Sequence, residues 1–260
     1  MKTWTLEVCT DSVESALAAQ EGGADRTELC ASLVTGGITP GKKLFEQVRA
    51  YTDLKIRVLL RPRWGDFCYN RYEVEQMKEE SRMFAELGAD AIVTGVLTPD
   101  GNLDTETMEE LIQAAGGTPI ALHRAFDMCR DACQTLEEAA GLGICTILTS
   151  GQQVSAWAGR DLLKELQERS GGRTEILAGA GITPGILREL AEYTGIRAFH
   201  MSGKKVRESR MRFRRQEVSM GLPGLDEYKI WQTSPVKIRE SARILEELDG
   251  ERMENGGNRV

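Results

Sequence analysis

Short runs of β-prone residues alternate with longer segments of helical periodicity along almost the whole chain, and this alternation limits the possible folds more than any other feature. Each predicted strand except the last is followed by a helical segment. Eight such units of about 25–35 residues fit a closed (β/α)8 barrel of the TIM type better than an open doubly wound sheet. We predict strands at Trp4–Cys9, Thr27–Cys30, Lys55–Arg61, Ala91–Val96, Pro119–Arg124, Thr146–Thr149, Glu175–Ala178 and Ala198–Ser202.

The two ends of the predicted barrel set its boundaries. The first strand runs into Thr10-Asp11-Ser12, which is not the G-x-G-x-x-G loop of a dinucleotide-binding sheet. After the eighth strand we predict an irregular segment over residues 203–233, then a final helix with the sequence SPVKIRESARILEELDG. We therefore expect one α/β barrel domain over residues 1–249 and a disordered tail over residues 250–260.

Composition excludes several classes of partner. The net charge of -7 disfavours nucleic acid, because a nucleic-acid binder carries a basic surface that neutralises phosphates. No run approaches the roughly 20 apolar residues of a membrane span, and the start of the chain lacks the apolar core of a secretory signal. We expect a cytoplasmic protein without an organic cofactor, and its six cysteines to be reduced thiols.

A Glu-x-Cys motif occurs twice, in the first and in the second predicted strand. Side chains alternate between the two faces of a strand, so Leu6 and Val8 share one face and Glu7 and Cys9 share the other. The apolar face packs against the surrounding helices, which turns the glutamate and the cysteine into the barrel. The second motif predicts the same inward orientation for its own two polar residues, Glu28 and Cys30.

Polar side chains also cluster where the other strands end, and barrels of this type place their functional groups at that edge. Both histidines of the chain lie there. The loop after the third strand adds an aromatic cluster over Trp64–Tyr69 that could cover a pocket. The further candidates at these strand ends are Arg61, Arg63, Asp66, His123, Arg124, Asp127, Ser150, His200 and Ser202.

Glycines follow the seventh and eighth strands, where many barrels bind a phosphate through backbone N–H groups. Gly179, Gly181 and the pair Ser202-Gly203 are the candidates for this anion site. Tight turns between strands and helices are the alternative explanation. The basic run over residues 204–215 could bind an anion or a partner, although a solvated, mobile loop is the better interpretation.

Several multi-residue motifs occur together in one order: E-V-C-x-D-S-V-E-S-A, G-G-A-D-R-x-E-L-C, R-P-R-x-G-D-F-x-Y, H-R-A-F-D, I-L-T-S-G-Q and V-S-M-G (Val218–Gly221). With these motifs the chain resembles the CutC copper-homeostasis family from about Leu6 to the last helix. The resemblance implies a (β/α)8-like barrel, a cytoplasmic location and a role in copper homeostasis, with Cu(I) as the proposed ligand. It also makes a homo-oligomer plausible. The sequence departs from the family pattern at GAGIT and in the basic run.

Two functional hypotheses remain open. In the first, Cys9 and Cys30 bind Cu(I) at the barrel mouth, since soft thiolates select this ion, with His123 or His200 nearby. An inert structural role for both cysteines is the alternative, because free cysteine is readily buried.

In the second hypothesis, the protein is an enzyme that performs isomerase, lyase or hydrolase chemistry on a small polar substrate, phosphorylated or sugar-like. Glu7 or Glu28 is then the base and His123 the acid, while Arg61 and Arg63 hold an anion. Structural neutralisation among Glu7, Glu28, Arg61 and Arg124 is the alternative explanation of these charges.

Overall fold

The computed structural model describes residues 3–215, 217, 218, 220, 221 and 224–256. Eight parallel strands close into a barrel in sequential order, which confirms the predicted (β/α)8 fold. The strands are β1 (Thr5–Thr10), β2 (Arg26–Leu29), β3 (Lys55–Leu59), β4 (Ala91–Thr94), β5 (Ile120–Leu122), β6 (Thr146–Thr149), β7 (Glu175–Ala178) and β8 (Ala198–Met201). The helices between them are α1 (Val13–Glu21), α2 (Lys42–Tyr51), α3 (Arg71–Glu86), α4 (Thr105–Ala114), α5 (Ala132–Gly141), α6 (Arg160–Ser170) and α7 (Pro184–Thr194), with short 3-10 turns at Leu33–Thr35 and Arg124–Met128.

The alternation of side chains along β1 separates an apolar layer from a polar interior. Leu6 and Val8 are fully buried in one cluster with helix residues such as Ala16. Burying an aliphatic side chain of this size stabilises the fold by about 1.5–3 kcal/mol. Glu7 and Cys9 point into the barrel, and the second motif in β2 has the same orientation. The predicted inward direction of both Glu-x-Cys motifs is confirmed.

The segment after β8 differs from the predicted irregular segment over residues 203–233. It contains two strands, β9 (Lys204–Glu208) and β10 (Lys229–Thr233), which pair in antiparallel fashion outside the barrel. Within this ribbon the Lys204 ammonium lies 3.7 Å from the centroid of the Trp231 ring. Local periodicity missed the ribbon because its two strands are far apart in sequence and the first is almost entirely charged.

The last helix, α8 (Pro235–Gly256), packs against α1 and α7. Its first turn leaves no room beside Gly22, where a Cβ atom would lie 2.4 Å from the Ile238 Cβ, so a glycine is required at the end of α1. The helix continues through the predicted boundary at residue 249. Residues 257–260 of the predicted tail, and Ser219 of the V-S-M-G motif, lie outside the described residues.

Among the described residues, no helix combines the length and the apolar character that a membrane span needs.

Candidate functional site

A cavity of about 990 Å³ opens at the carboxyl ends of the barrel strands, where the sequence predicts the functional groups. Most of the predicted residues line it, and Glu7 lies against one of them, His200. The described lining omits Glu7, Arg63, Asp66, Ser150 and Gly179. The predicted residues on the cavity wall are Cys9, Glu28, Cys30, Arg61, His123, Arg124, Asp127, Gly181, His200, Ser202 and Gly203.

Glu7 is fully enclosed by cationic partners. One carboxylate oxygen lies 2.8 Å from His200 Nδ1, and the other accepts a hydrogen bond from Arg26 Nε at 2.5 Å and lies 3.5 Å from Arg57 Nη1. Burial alone would raise the pKa of this carboxyl. The hydrogen bond from His200 and the charges of both arginines outweigh it and lower the pKa of Glu7 to about 2, so Glu7 stays ionised.

The arginines that neutralise Glu7 belong to an interior network that sequence reasoning missed. Arg26 Nη2 donates a hydrogen bond to Glu175 at 2.7 Å, and Arg57 Nη1 donates one to Thr146 at 3.1 Å. Glu7 is therefore neutralised by Arg26 and Arg57, and not by the arginines named in the structural hypothesis. Strand alternation was the available signal, because Arg26 lies two positions before Glu28 on the same face.

Glu28 has the opposite environment. Its side chain is buried, and no residue in the described part of the chain donates a hydrogen bond to it. Burial raises the pKa of Glu28 to about 7, helped by the negative charge of Glu7 and opposed by His200 and the arginines. Glu28, Glu7 and His200 each have a polar atom within 4.8 Å of the others. Glu28 is thus a carboxyl group that can gain or lose a proton near neutral pH.

His200 carries the positive charge of this cluster. Burial opposes ionisation, but Cys9, Glu28 and the hydrogen bond to Glu7 raise the pKa of His200 well above its usual value. Its Nδ1–H therefore donates to the Glu7 carboxylate, which fixes the orientation of the ring. The cavity thereby holds an imidazolium and a titratable carboxyl group side by side.

His123 is neutral, unlike His200. Its Nδ1 accepts a hydrogen bond from the backbone N–H of Ala125 at 3.1 Å, so the proton of the neutral ring is on Nε2. The side chain is only 3% exposed, and burial together with the charge of Arg61 lowers the pKa of His123 to about 3. Within the described residues Nε2 has no hydrogen-bond partner. This ring can donate a hydrogen bond, but it does not carry a transferable charge.

The two motif cysteines lie on the cavity wall. Cys9 Sγ lies 3.7 Å from the Met201 carbonyl oxygen, and Cys30 Sγ lies 3.5 Å from that of Thr10. Burial raises the pKa of Cys30 well above its usual value, and the neighbouring Cys9 and Glu28 act in the same direction. A soft metal ion would have to displace the proton of the Cys30 thiol to bind it.

The cluster of Glu7, Glu28 and His200 also has a spacing that could hold a metal ion. However, Arg26 and Arg57 contact the same Glu7 carboxylate and repel a cation from it. The protonated state of His200 further removes one ligand, since only a neutral imidazole coordinates a metal. The arrangement suits proton transfer better than binding of a hard divalent cation.

Several predicted binding residues tie loops together. Asp127 accepts hydrogen bonds from the backbone N–H of Ser150 at 2.9 Å and from the Arg124 guanidinium at 2.6 Å, so the loops after β5 and β6 are joined. Arg63 lies outside the cavity lining, where it pairs with Asp66 at 2.9 Å and with Glu73 at 2.7 Å. These bonds satisfy Asp127 and Arg63 without a ligand.

The residues of the predicted anion site lie at the ends of β7 and β8 and in the loops that follow them. Gly181 and Gly203 both have positive φ angles, +73° and +54°, and line the cavity. Gly179 has a packing role, because a Cβ there would lie 2.5 Å from Leu148 Cδ1. Lys204 and Lys237 also line this side of the cavity. Lys204 lies in β9 of the ribbon, which the sequence predicted only as an irregular segment, and Lys237 lies in α8.

Fold and site together define the class of protein: a (β/α)8 barrel with an acid–base cluster in the cavity at the carboxyl ends of its strands. The CutC family model matches residues 4–205. A CutC family protein of Bacteroides fragilis is 43% identical over 247 residues, which are 94% of this chain and 98% of that protein. The chain belongs to the CutC family.

Two further comparisons agree with this assignment. The copper homeostasis protein cutC homolog of Homo sapiens is 41% identical over 244 residues, which are 94% of this chain and 89% of that protein. A solved structure of CutC from Streptococcus agalactiae superposes with a TM-score of 0.74 at 30% identity, covering 76% of this chain and 98% of that one. The chain is therefore a member of a family whose named relatives include copper homeostasis proteins.

Proposed function

We propose that this protein is an enzyme that transfers protons on a small polar substrate bound in the barrel cavity. The single observation that carries the proposal is the pairing of a buried Glu28, whose pKa is about 7, with the protonated ring of His200. Environments that push the pKa values of neighbouring groups apart are the usual mark of an acid–base site. The cavity beside them is large enough for a small metabolite.

The roles follow from the charges. Ionised Glu28 accepts a proton from a carbon or hydroxyl group of the substrate, and the His200 imidazolium donates one to the developing oxyanion. Glu7 positions His200 and keeps it charged. The acid is therefore His200 and not His123, whose ring is neutral. Gly181, Gly203 and the lysines beside them offer an anion subsite for a phosphorylated substrate.

The proposal is tested by hydrogen exchange in heavy water. Proton NMR would follow the loss of carbon-bound protons from dihydroxyacetone, dihydroxyacetone phosphate and pyruvate with wild-type protein. We expect exchange of at least one compound, reduced about 100-fold or more in Glu28→Gln. Glu175→Gln is the matched control, because Glu175 lies at the outer end of the same network. Exchange that no compound shows, or that Glu28→Gln retains, would contradict the proposal.

Cu(I) binding is the second candidate, favoured by one observation: the sulfur-bearing side chains of Cys9 and Cys30 line the same cavity beside His200. The name of the human relative, copper homeostasis protein cutC homolog, adds support. Thiolates select Cu(I), and binding would release the thiol protons. Anaerobic Cu(I) titration of wild type against a Cys9→Ser, Cys30→Ser double variant tests the site, and equal stoichiometry and affinity would rule it out.

We also propose a cytoplasmic location and a homo-oligomer. All six cysteines are free in the structure, which agrees with a reducing compartment. Val206, Met211 and Phe213 are exposed in the basic segment of an otherwise acidic chain, a combination that favours contact with an acidic face of a second copy. Light scattering after size-exclusion chromatography checks this, and a monomer at both low and high salt would contradict it.

A further inference from the structure

One wall of the cavity holds a buried positive charge that no carboxylate of the described residues neutralises. Arg61 is 9% exposed and lines the cavity. Its Nη1 and Nη2 donate to the backbone carbonyls of Gly37 at 3.2 Å and Gly65 at 2.7 Å, both of which are neutral acceptors. Its Nε is buried without an acceptor of good geometry, and the guanidinium also acts on the buried Tyr69 hydroxyl, a neutral group that does not balance its charge. A buried charge in a native fold is ordinarily paired, so the missing counter-charge points to a ligand.

The same wall holds an unused donor. His123 Nε2–H is buried and has no acceptor among the described residues, although the opposite ring nitrogen is satisfied by Ala125. His123 lies close enough to Arg61 for the guanidinium charge to act on the imidazole. Two neighbouring N–H groups without acceptors match an incoming group that offers lone pairs and negative charge.

Phe67 packs against both groups. Its ring centroid lies 4.7 Å from that of the His123 imidazole and 4.9 Å from the Arg61 guanidinium carbon. Phe67 also lines the cavity, and its side chain lies in the loop that sequence reasoning named as a cover. Phe67 therefore lies against both side chains whose nitrogens are unused.

We propose that Arg61 and His123 form a subsite for an oxyanion of the ligand, either a carboxylate or a phosphate, with Phe67 as its movable cover. This subsite lies at the ends of β3 and β5 and is separate from the glycine loops after β7 and β8. The inference rests on the proposed function in one respect: it treats the bound molecule as a substrate. The oxyanion itself binds here whether or not protons are transferred.

Thermal unfolding with sodium pyruvate, sodium phosphate or sodium chloride at equal ionic strength tests the subsite. We expect pyruvate or phosphate to raise the Tm above the chloride value, because a ligand of the native state stabilises it by mass action. Arg61→Met should weaken the apparent affinity about tenfold or more, and Phe67→Ala should strengthen it. Arg82→Met is the matched control, since Arg82 pairs with Glu79 on the exposed face of α3 and does not line the cavity, and it should leave the affinity unchanged.

Nitrogen NMR of histidine-labelled wild type keeps the test valid if a variant fails to fold. Addition of the effective anion should move the His123 Nε2–H resonance, and chloride should not. The subsite is wrong if neither anion acts differently from chloride, or if Arg61→Met binds as well as wild type.

Glu28→Gln separates the two proposals, because it should lose hydrogen exchange and keep anion binding. Exchange without anion binding at Arg61 would overturn the subsite alone.

Discussion

The two Glu-x-Cys motifs share one residue pattern, lie on neighbouring strands and face the same barrel interior, yet their glutamates differ in charge. Glu7 contacts His200, Arg26 and Arg57, and its pKa is about 2. Glu28 receives no hydrogen bond within the described structure, and its pKa is about 7. Partner groups, and not depth of burial, therefore decide whether a buried carboxyl stays ionised.

The difference assigns separate tasks to the two carboxyl groups. A permanently ionised Glu7 holds His200 in its charged form and fixes its orientation. A carboxyl group that titrates near neutrality, as Glu28 does, can accept and return a proton during a reaction. The repeated motif thus supplies one positioning residue and one candidate base.

The largest effect should come from removing the charge of the first motif. Glu7→Gln leaves the His200 imidazolium buried without the carboxylate it is bonded to and leaves Arg26 paired with Glu175 alone, and we expect the free energy of unfolding to fall by about 3–5 kcal/mol. Glu175→Gln, at the more exposed end of the network, should cost clearly less. Urea denaturation of both variants measures the free energy of unfolding. Equal decreases in the two variants would contradict the predicted difference between Glu7 and Glu175.

In the second motif, the charge of the glutamate should have the opposite effect on the free energy of unfolding. The pKa of Glu28 is about 7 in the folded protein against 4.5 as its ordinary value, so its contribution to stability is full below pH 4.5 and is lost as the pH rises to 7. A shift of this size corresponds to roughly 3 kcal/mol. His200 adds a further decline only above pH 6.5, and Glu7 is fully ionised throughout this window. His123 acts in the opposite direction, because its pKa is lowered from 6.5 to about 3, so its contribution rises with pH up to 6.5 and offsets the decline from Glu28.

Glu28→Gln should therefore leave the His123 contribution without its opposing slope, so the stability of the variant should rise between pH 4.5 and 6.5 relative to wild type, and the variant should be more stable than wild type at pH 8. Urea denaturation across this range checks the prediction. A variant whose stability changes with pH in parallel with wild type would assign the dependence to another group.

The smallest effect concerns the sulfurs and leaves the fold unchanged. The Cys30 thiol is fully buried and its pKa is raised, whereas Cys68 is exposed. Since the thiolate is the reactive form, iodoacetamide should label Cys68 at least about tenfold faster than Cys30 in the native protein. Mass spectrometry of time points measures both rates. Labelling of Cys30 as early as Cys68 would show that the motif is accessible and its thiol activated.

The sequence predicts the barrel and the inward direction of both motifs because these depend on local periodicity. It does not predict which glutamate is ionised, since Arg26 and Arg57 reach Glu7 only through the register between strands. The ribbon of β9 and β10 was not predicted for the same reason, because it depends on pairing between strands that are distant in sequence. Arg61 and Arg63 are equivalent in the sequence pattern, yet only Arg61 lines the cavity, because loop geometry directs Arg63 to Asp66 and Glu73.

The most direct test of the account is the titration of the glutamate carboxyl carbons by NMR in isotope-labelled protein. Glu7→Gln and Glu28→Gln would identify the two motif signals. We predict that the signal missing from Glu28→Gln has a midpoint near pH 7, and that the signal missing from Glu7→Gln stays ionised down to about pH 2. Midpoints for both groups at their ordinary value of 4.5 would contradict the separation of roles on which the proposed function depends.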